Sequence, residues 1–387
     1  MRGNAFLDKM ELVDPAYIEA AGRKTAVKRR SLAKWGAIAA CLALAVYAAG
    51  RMLLRSTPKT PAELPVLTVS GNGHEGNGFE FLMAYDSSEL INGNPWNETM
   101  ELHTLPVYRN QIVYGEAPEV TLGKRADMKA FLLEVAARLG YTEEAFVITD
   151  DGQQTEEEDK ATVTTLIGKA DGITITVYPG MTATVEFTPA IRLPEGYDFA
   201  HYAPYQDILE VAQYLKEAYP TLIGMKNPQM DIYGGDYNIY CQQGYDIKFF
   251  DGTGDAVNQI VNYNFHNVAF YCNDEGDLFL ARVWRPDLTQ KAGEYPIISA
   301  DEAKALLLNG HYITTVPDEL PGANSVVKVE LVYRTGDWEA YYMPYYRFYV
   351  ELPERTQEGM KGYGAYYVPA VESRYISNMP LWDGRFN

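Results

Sequence analysis

The feature that most constrains this chain is an uncharged run near its start, 35-WGAIAACLALAVYAAG-50. It is sixteen residues long, and Met52, Leu53 and Leu54 extend it past Arg51. A helix needs about 20 apolar residues to cross the hydrocarbon core. An arginine near the helix end can lift its charge to the headgroups, so residues 35–54 suffice for a single span. Trp35 suits the membrane interface, with Lys34 before it and Arg51 and Arg55 at the far end. Six Lys/Arg lie between Arg23 and Lys34, which orients the N-terminus to the cytoplasm and the remainder to the outside. A cleaved signal peptide is the competing reading, because Ala43-Leu44-Ala45 resembles a small-x-small site. The 34 residues before the run are long for such a peptide, which favours an uncleaved anchor at the cell membrane.

Charge agrees with that topology. Residues 1–55 carry ten Lys/Arg and four acids, and the rest carries 23 basic and 48 acidic residues, a net of +6 against −25. An outer body this acidic repels phosphates, so nucleic acid is an unsuitable partner. The basic start suits the anionic inner leaflet of a membrane.

The expected organisation is a basic cytoplasmic segment (1–34), a transmembrane helix (35–54), a linker (55–65) and three outer units: 66–195, 196–290 and 291–387. The fold class expected is α+β, with antiparallel sheets each covered by a helix in repeated helix-then-strands units. Apolar spacing of three and four predicts helices over 126–139 and 205–218. Ser299 and Glu302 form a capping box that opens a third helix over 300–308. Asp171-Gly172 predicts a tight hairpin turn within 162–180. A short helix is expected over 255–263. Strands are expected over 326–333, 341–352 and 363–371.

The chain has 30 Tyr, and the stretch 341-YYMPYYRFYV-350 concentrates them. In a strand, Tyr342, Tyr346 and Phe348 share one face, which the third helix can cover. Tyr341, Tyr345, Arg347 and Tyr349 share the other, the candidate interaction surface, open to packing or to a partner.

No catalytic pattern is present. The five His residues, at 74, 103, 201, 266 and 311, include no pair at metal-ligand spacing, and no cofactor or metal is expected. The acidic loops 150–159 and 251-DGTGD-255 lack the calcium-loop spacing and read as solvated. Cys241 and Cys272 fall on the outer side, where a disulfide is chemically allowed; two separate thiols is the favoured alternative.

Two resemblances add to this reading. The start, 7-LDKMELVDPAYIEAA-21, then the basic cluster and 35-WGAIAACLALAV-46, resembles the N-terminus of uncharacterised membrane-anchored proteins of gut Firmicutes. Some of those are similar to anti-sigma or signalling partners. Near the C-terminus, 295-YPIISADEAKALLLNGHYI-313, 326-VVKVELVYR-334 and 341-YYMPYYRFYVEL-352 resemble PepSY-like domains. They are also similar to YycH/YycI-like regulators of a cell-wall-sensing kinase. The resemblance implies binding of proteins or inhibition of peptidases, without catalysis. The expectation is a membrane-anchored binding or regulatory protein that engages a surface protein or signalling partner. Binding of cell-wall glycan through Tyr-rich strands is the alternative, and a hydrolase using paired carboxylates the third.

Overall fold

Eight antiparallel strands make the largest layer of the protein, seen in a computed structural model that describes residues 64–70, 80–114, 121–150, 161–336 and 339–384. From edge to edge they run Pro228–Tyr237, Gln243–Asp251, Asn267–Cys272, Leu278–Trp284, Thr182–Ile191, Ile173–Tyr178, Leu166–Ala170 and Val147–Asp150. Local signals account for the hairpins. Gly172 takes a φ of +78° at the Asp171-Gly172 turn, a conformation that costs glycine little. The helices Arg125–Arg138 and Tyr205–Ala218 lie over one face of this sheet. Their residues Phe131, Leu132, Val135, Ile208, Val211 and Leu215 bury against Ile175, Val177, Val185, Phe249 and Phe270.

A second sheet of five strands has the order Phe81–Ala84, Met360–Pro369, Pro344–Gln357, Val326–Tyr333, and Ile313–Thr314 also pairs with Met360–Pro369. The helix Ala300–Leu308 covers its outer face, opened by the Ser299/Glu302 capping box. Ala303 and Leu307 meet Leu331, Tyr346, Phe348 and Tyr366 there. The helix Ala256–Phe265 packs on both sheets, and Phe265 is its wedge between them, 4.9 Å from the Tyr333 ring and 6.0 Å from Trp284. Two three-stranded sheets, one formed by Lys291–Pro296, Thr104–Arg109 and Tyr341–Tyr342, complete the fold.

This architecture corrects the expected fold class. Strand makes up 41% and helix 22%, so the protein is mostly β-sheet, and repeated helix-then-strands units are not evident. The reason is long-range pairing. Strand Thr182–Ile191 of the expected first unit pairs with Leu278–Trp284 of the second, fusing both into one sheet. Strand Phe81–Ala84 leaves the first unit to pair with Met360–Pro369 near the C-terminus. Residues 64–387 accordingly form one compact unit. The expected cytoplasmic segment and transmembrane helix, with Lys34, Trp35, Arg51 and Arg55, lie outside the described residues. Among the described residues no helix is long and apolar enough to cross a membrane.

A polar cleft between two sheets

Strand alternation sets the chemistry of the second face of the eight-stranded sheet. With Phe249, Phe270 and Val283 turned to the helices, their neighbours must turn the other way. One row crosses four strands as Asp231, Lys248, Ala269 and Arg282, each in register with the next. A second row pairs Asn267 with Trp284 and Thr182. The same rule works in the five-stranded sheet. There Lys328, Glu330, Arg347, Tyr349 and Tyr367 share the face opposite the covering helix. These two polar faces line a common cleft.

Charges inside the cleft are held in pairs. Lys248 Nζ lies 2.9 Å from a fully buried Asp231 carboxylate and sits over the Tyr233 and Tyr263 rings. Glu330 accepts from Arg347 Nε at 3.1 Å, pairs with Lys328 at 2.8 Å and accepts from Asn92 Nδ2 at 2.6 Å. Burial opposes its charge, but Arg347 and Lys328 outweigh burial and hold the carboxyl down at about 2. Glu339, 2.9 Å from Arg334, behaves oppositely: burial outweighs its one cation and pushes the carboxyl up to about 7. The difference is the number of donors around each carboxylate.

Segment 91–94 stitches the two sheets together. Ile91 bridges Gly234, Gly93 N–H donates to Asp231 Oδ1 at 2.6 Å, and Asn94 Nδ2 donates to the Leu331 carbonyl at 3.1 Å. The approach is so close that a Cβ on Gly93 would stand 2.9 Å from Asp231 Cα. Asn264 adds another tie, accepting from Tyr333 N–H at 2.9 Å.

The cleft holds two chambers with a shared wall of Glu80, Lys248, Tyr263 and Arg347. The first, of about 550 Å³, is walled by Arg282, Arg334, Asn264, Asn267 and Trp284. The second, of about 520 Å³, is walled by Tyr202, Tyr233, Tyr245, Asn238, Gln242 and Asp246. Burial raises both Asp246 and Asp236 at the second chamber above the ordinary carboxylate value. Both volumes fall within the roughly 300–1,000 Å³ usual for small-molecule sites.

The candidate surface on the tyrosine strand is divided among three places. Tyr345 is fully buried with Met343, Ile313 and Tyr295, and carries the Arg334 guanidinium 5.3 Å above its ring. Arg347 and Tyr349 line the cleft, with the guanidinium 5.1 Å above the ring. Tyr341 pairs in register with Arg109 in a three-stranded sheet and is half-buried. The structure therefore does not gather these four side chains on one open surface. Cys241 and Cys272 are free thiols: Cys241 is exposed on a turn with φ +58°, and Cys272 is buried, its thiol pushed up to about 11 by that burial.

The acidic loop 251–255 is occupied by its own backbone. Asp251 Oδ1 accepts from Thr253 N–H at 3.0 Å, and Asp255 caps the helix Ala256–Phe265 through Asn258 N–H at 2.9 Å. The loop 151–160 lies outside the described residues. Among the described residues no three His, Cys, Asp or Glu side chains gather as a metal ion would require.

Sequence reasoning missed Asp231, Lys248, Arg282, Glu330 and Arg334. The available signal was charge alternating with apolar residues, as in 326-VVKVELVY-333. Such alternation reads as a solvated face unless a second sheet is known to cover it. No protein family matches the chain, and no curated protein matches it in sequence.

Proposed function

We propose that the protein is a membrane-anchored binding module that takes a small ligand between its two sheets and acts without a catalytic step. The observation that carries this reading is the cleft. It has two chambers of ligand size whose charged walls are fixed by ion pairs and stitched by segment 91–94. Such a site is preorganised, so a ligand need not order its walls on binding. The anchor expected over residues 35–54 would hold the body outside the cell membrane, with the N-terminus in the cytoplasm. The resemblance to PepSY-like and YycH/YycI-like domains supports a regulatory role, with ligand occupancy passed to a surface protein or signalling partner.

Native mass spectrometry of the full-length protein extracted from membranes tests the binding reading. The expected result is a co-bound small molecule, lost when Lys248→Met and Arg347→Met disrupt the shared wall. A bare mass with intact fold would contradict it. Cell-wall glycan is the second reading, favoured by one observation. Tyr202, Tyr233 and Tyr245 line the second chamber beside the amides Asn238 and Gln242, and rings with amide partners suit sugars. Co-sedimentation with purified cell wall separates the two, because a small-molecule module stays in solution.

A further inference from the structure

The first chamber is cationic on its walls. Lys248, Arg282, Arg334 and Arg347 face it against one carboxylate, Glu80. Three of those cations are committed: Lys248 to Asp231, Arg347 to Glu330, and Arg334 to Glu339. Arg282 has no carboxylate within ion-pair distance among the described residues. Its guanidinium lies 5.7 Å from the Tyr271 ring, and its Nε is buried without a hydrogen-bond partner. Two further groups on the same walls are short of partners. Arg334, 6% exposed, has a buried Nη1 with none, and Asn267, 4% exposed, has a buried Oδ1 with none. Buried polar groups in folded proteins nearly always find a partner. Here two donors and one acceptor belong to side chains that line one cavity, whose remaining wall includes Trp284, Ile313 and Val332.

We infer that the first chamber binds a small carboxylic acid: its carboxylate meets Arg282 and Arg334, and a hydroxyl or amino group of the same molecule donates to Asn267 Oδ1. This rests on the binding-module reading and adds the ligand class. A guanidinium offers two parallel donors to a carboxylate, which fixes the ligand's plane as well as its charge. The acceptor at Asn267 then favours an acid that carries a donor over a plain fatty acid. The chamber is partly open, so the ligand needs no large movement to enter. Lys248 and Arg347, already paired, shape the wall and leave Arg282, which has no ion pair among the described residues, as the cation that meets the ligand.

The test uses the full-length protein in detergent, with titration calorimetry and thermal melting. The probes are acetate, citrate and L-glutamate, with inorganic phosphate and glucose beside them. At least one acid should bind and raise the melting temperature in proportion to its concentration. Arg282→Met should weaken that binding about 10- to 100-fold, the range for loss of a charge-assisted hydrogen bond. Without any acid, Arg282→Met should melt close to the wild type, because the guanidinium it removes makes no ion pair and has only its approach to the Tyr271 ring and a longer-range attraction to Asp246. Failure of all three acids to bind would overturn the assignment. So would binding of phosphate or glucose alone, or an unliganded Arg282→Met protein that melts well below the wild type, which would make the arginine a structural group. A co-bound neutral molecule that survives Arg282→Met would leave the binding module standing and remove only the acid.

Discussion

On one face of the eight-stranded sheet, Ile175, Val185, Phe249 and Phe270 lie beneath two helices; on the other, the same strands hold Asp231, Lys248 and Arg282 against a second sheet. Both faces are covered, yet they are covered differently. The helix side is closed by apolar side chains that fill space, and its stability is a matter of area and volume. The cleft side is closed by paired charges that leave two chambers between them. Paired charges are a poor route to stability, because desolvation consumes most of the attraction. They are a good route to a rigid polar wall. The comparison separates a face whose apolar packing carries stability from a face whose paired charges wall two chambers.

The largest effect should come from breaking one partner of an enclosed pair. Arg347→Met leaves Glu330 buried and short of its main cation, and should cost about 3–5 kcal/mol in denaturant unfolding. Phe270→Ala on the helix face should cost a similar ~3–5 kcal/mol through the cavity it leaves. The two faces part company in the double variant. Asp231→Asn with Lys248→Met removes both charges together, keeps the acceptor for Gly93 N–H, and should cost far less than the sum of the two single changes. A double loss on the helix face should instead roughly add. Equal additivity on both faces would erase the distinction.

Acidity sharpens the same contrast within the cleft. Glu330 is held at about 2, below its ordinary 4.5, so its contribution is present above pH 4.5 and is lost as pH falls toward 2. Glu339 is raised to about 7 from the same 4.5, so its contribution is full below pH 4.5 and is lost as pH rises through 7. Glu339→Gln should therefore flatten the decline of stability between pH 4.5 and 7, measured by denaturant midpoints, while leaving the acid limb unchanged. Glu330→Gln should do the reverse. The smallest effect is expected outside both faces. Ser299→Ala removes one cap from the helix Ala300–Leu308 and should cost about 1 kcal/mol.

Elements with local signals were legible in the sequence. The 299–302 capping box, the Asp171-Gly172 turn and the apolar spacing of the helices Arg125–Arg138 and Tyr205–Ala218 all act within a few residues. Strand partners were not. Thr182 pairs with Trp284, and Phe81 pairs with Gly364, across separations that no local pattern encodes. The same blindness hid the cleft. Asp246 and Lys248 alternate with Ile247 and Phe249 as on any half-solvated strand. Only the second sheet, carrying Glu330 and Arg347, turns that solvated face into an interior. The tyrosine strand 341–350 could be assigned two faces from alternation, but not the layer beneath the second.

The measurement that tests the central claim most directly is amide hydrogen exchange of the full-length protein, with and without the small-molecule extract of the source cells. A ligand seated between the sheets should slow exchange in Gln243–Asp251, Asn267–Cys272 and Val326–Tyr333, and leave the helices Arg125–Arg138 and Tyr205–Ala218 unchanged. Protection confined to those helices, or none anywhere, would contradict the account.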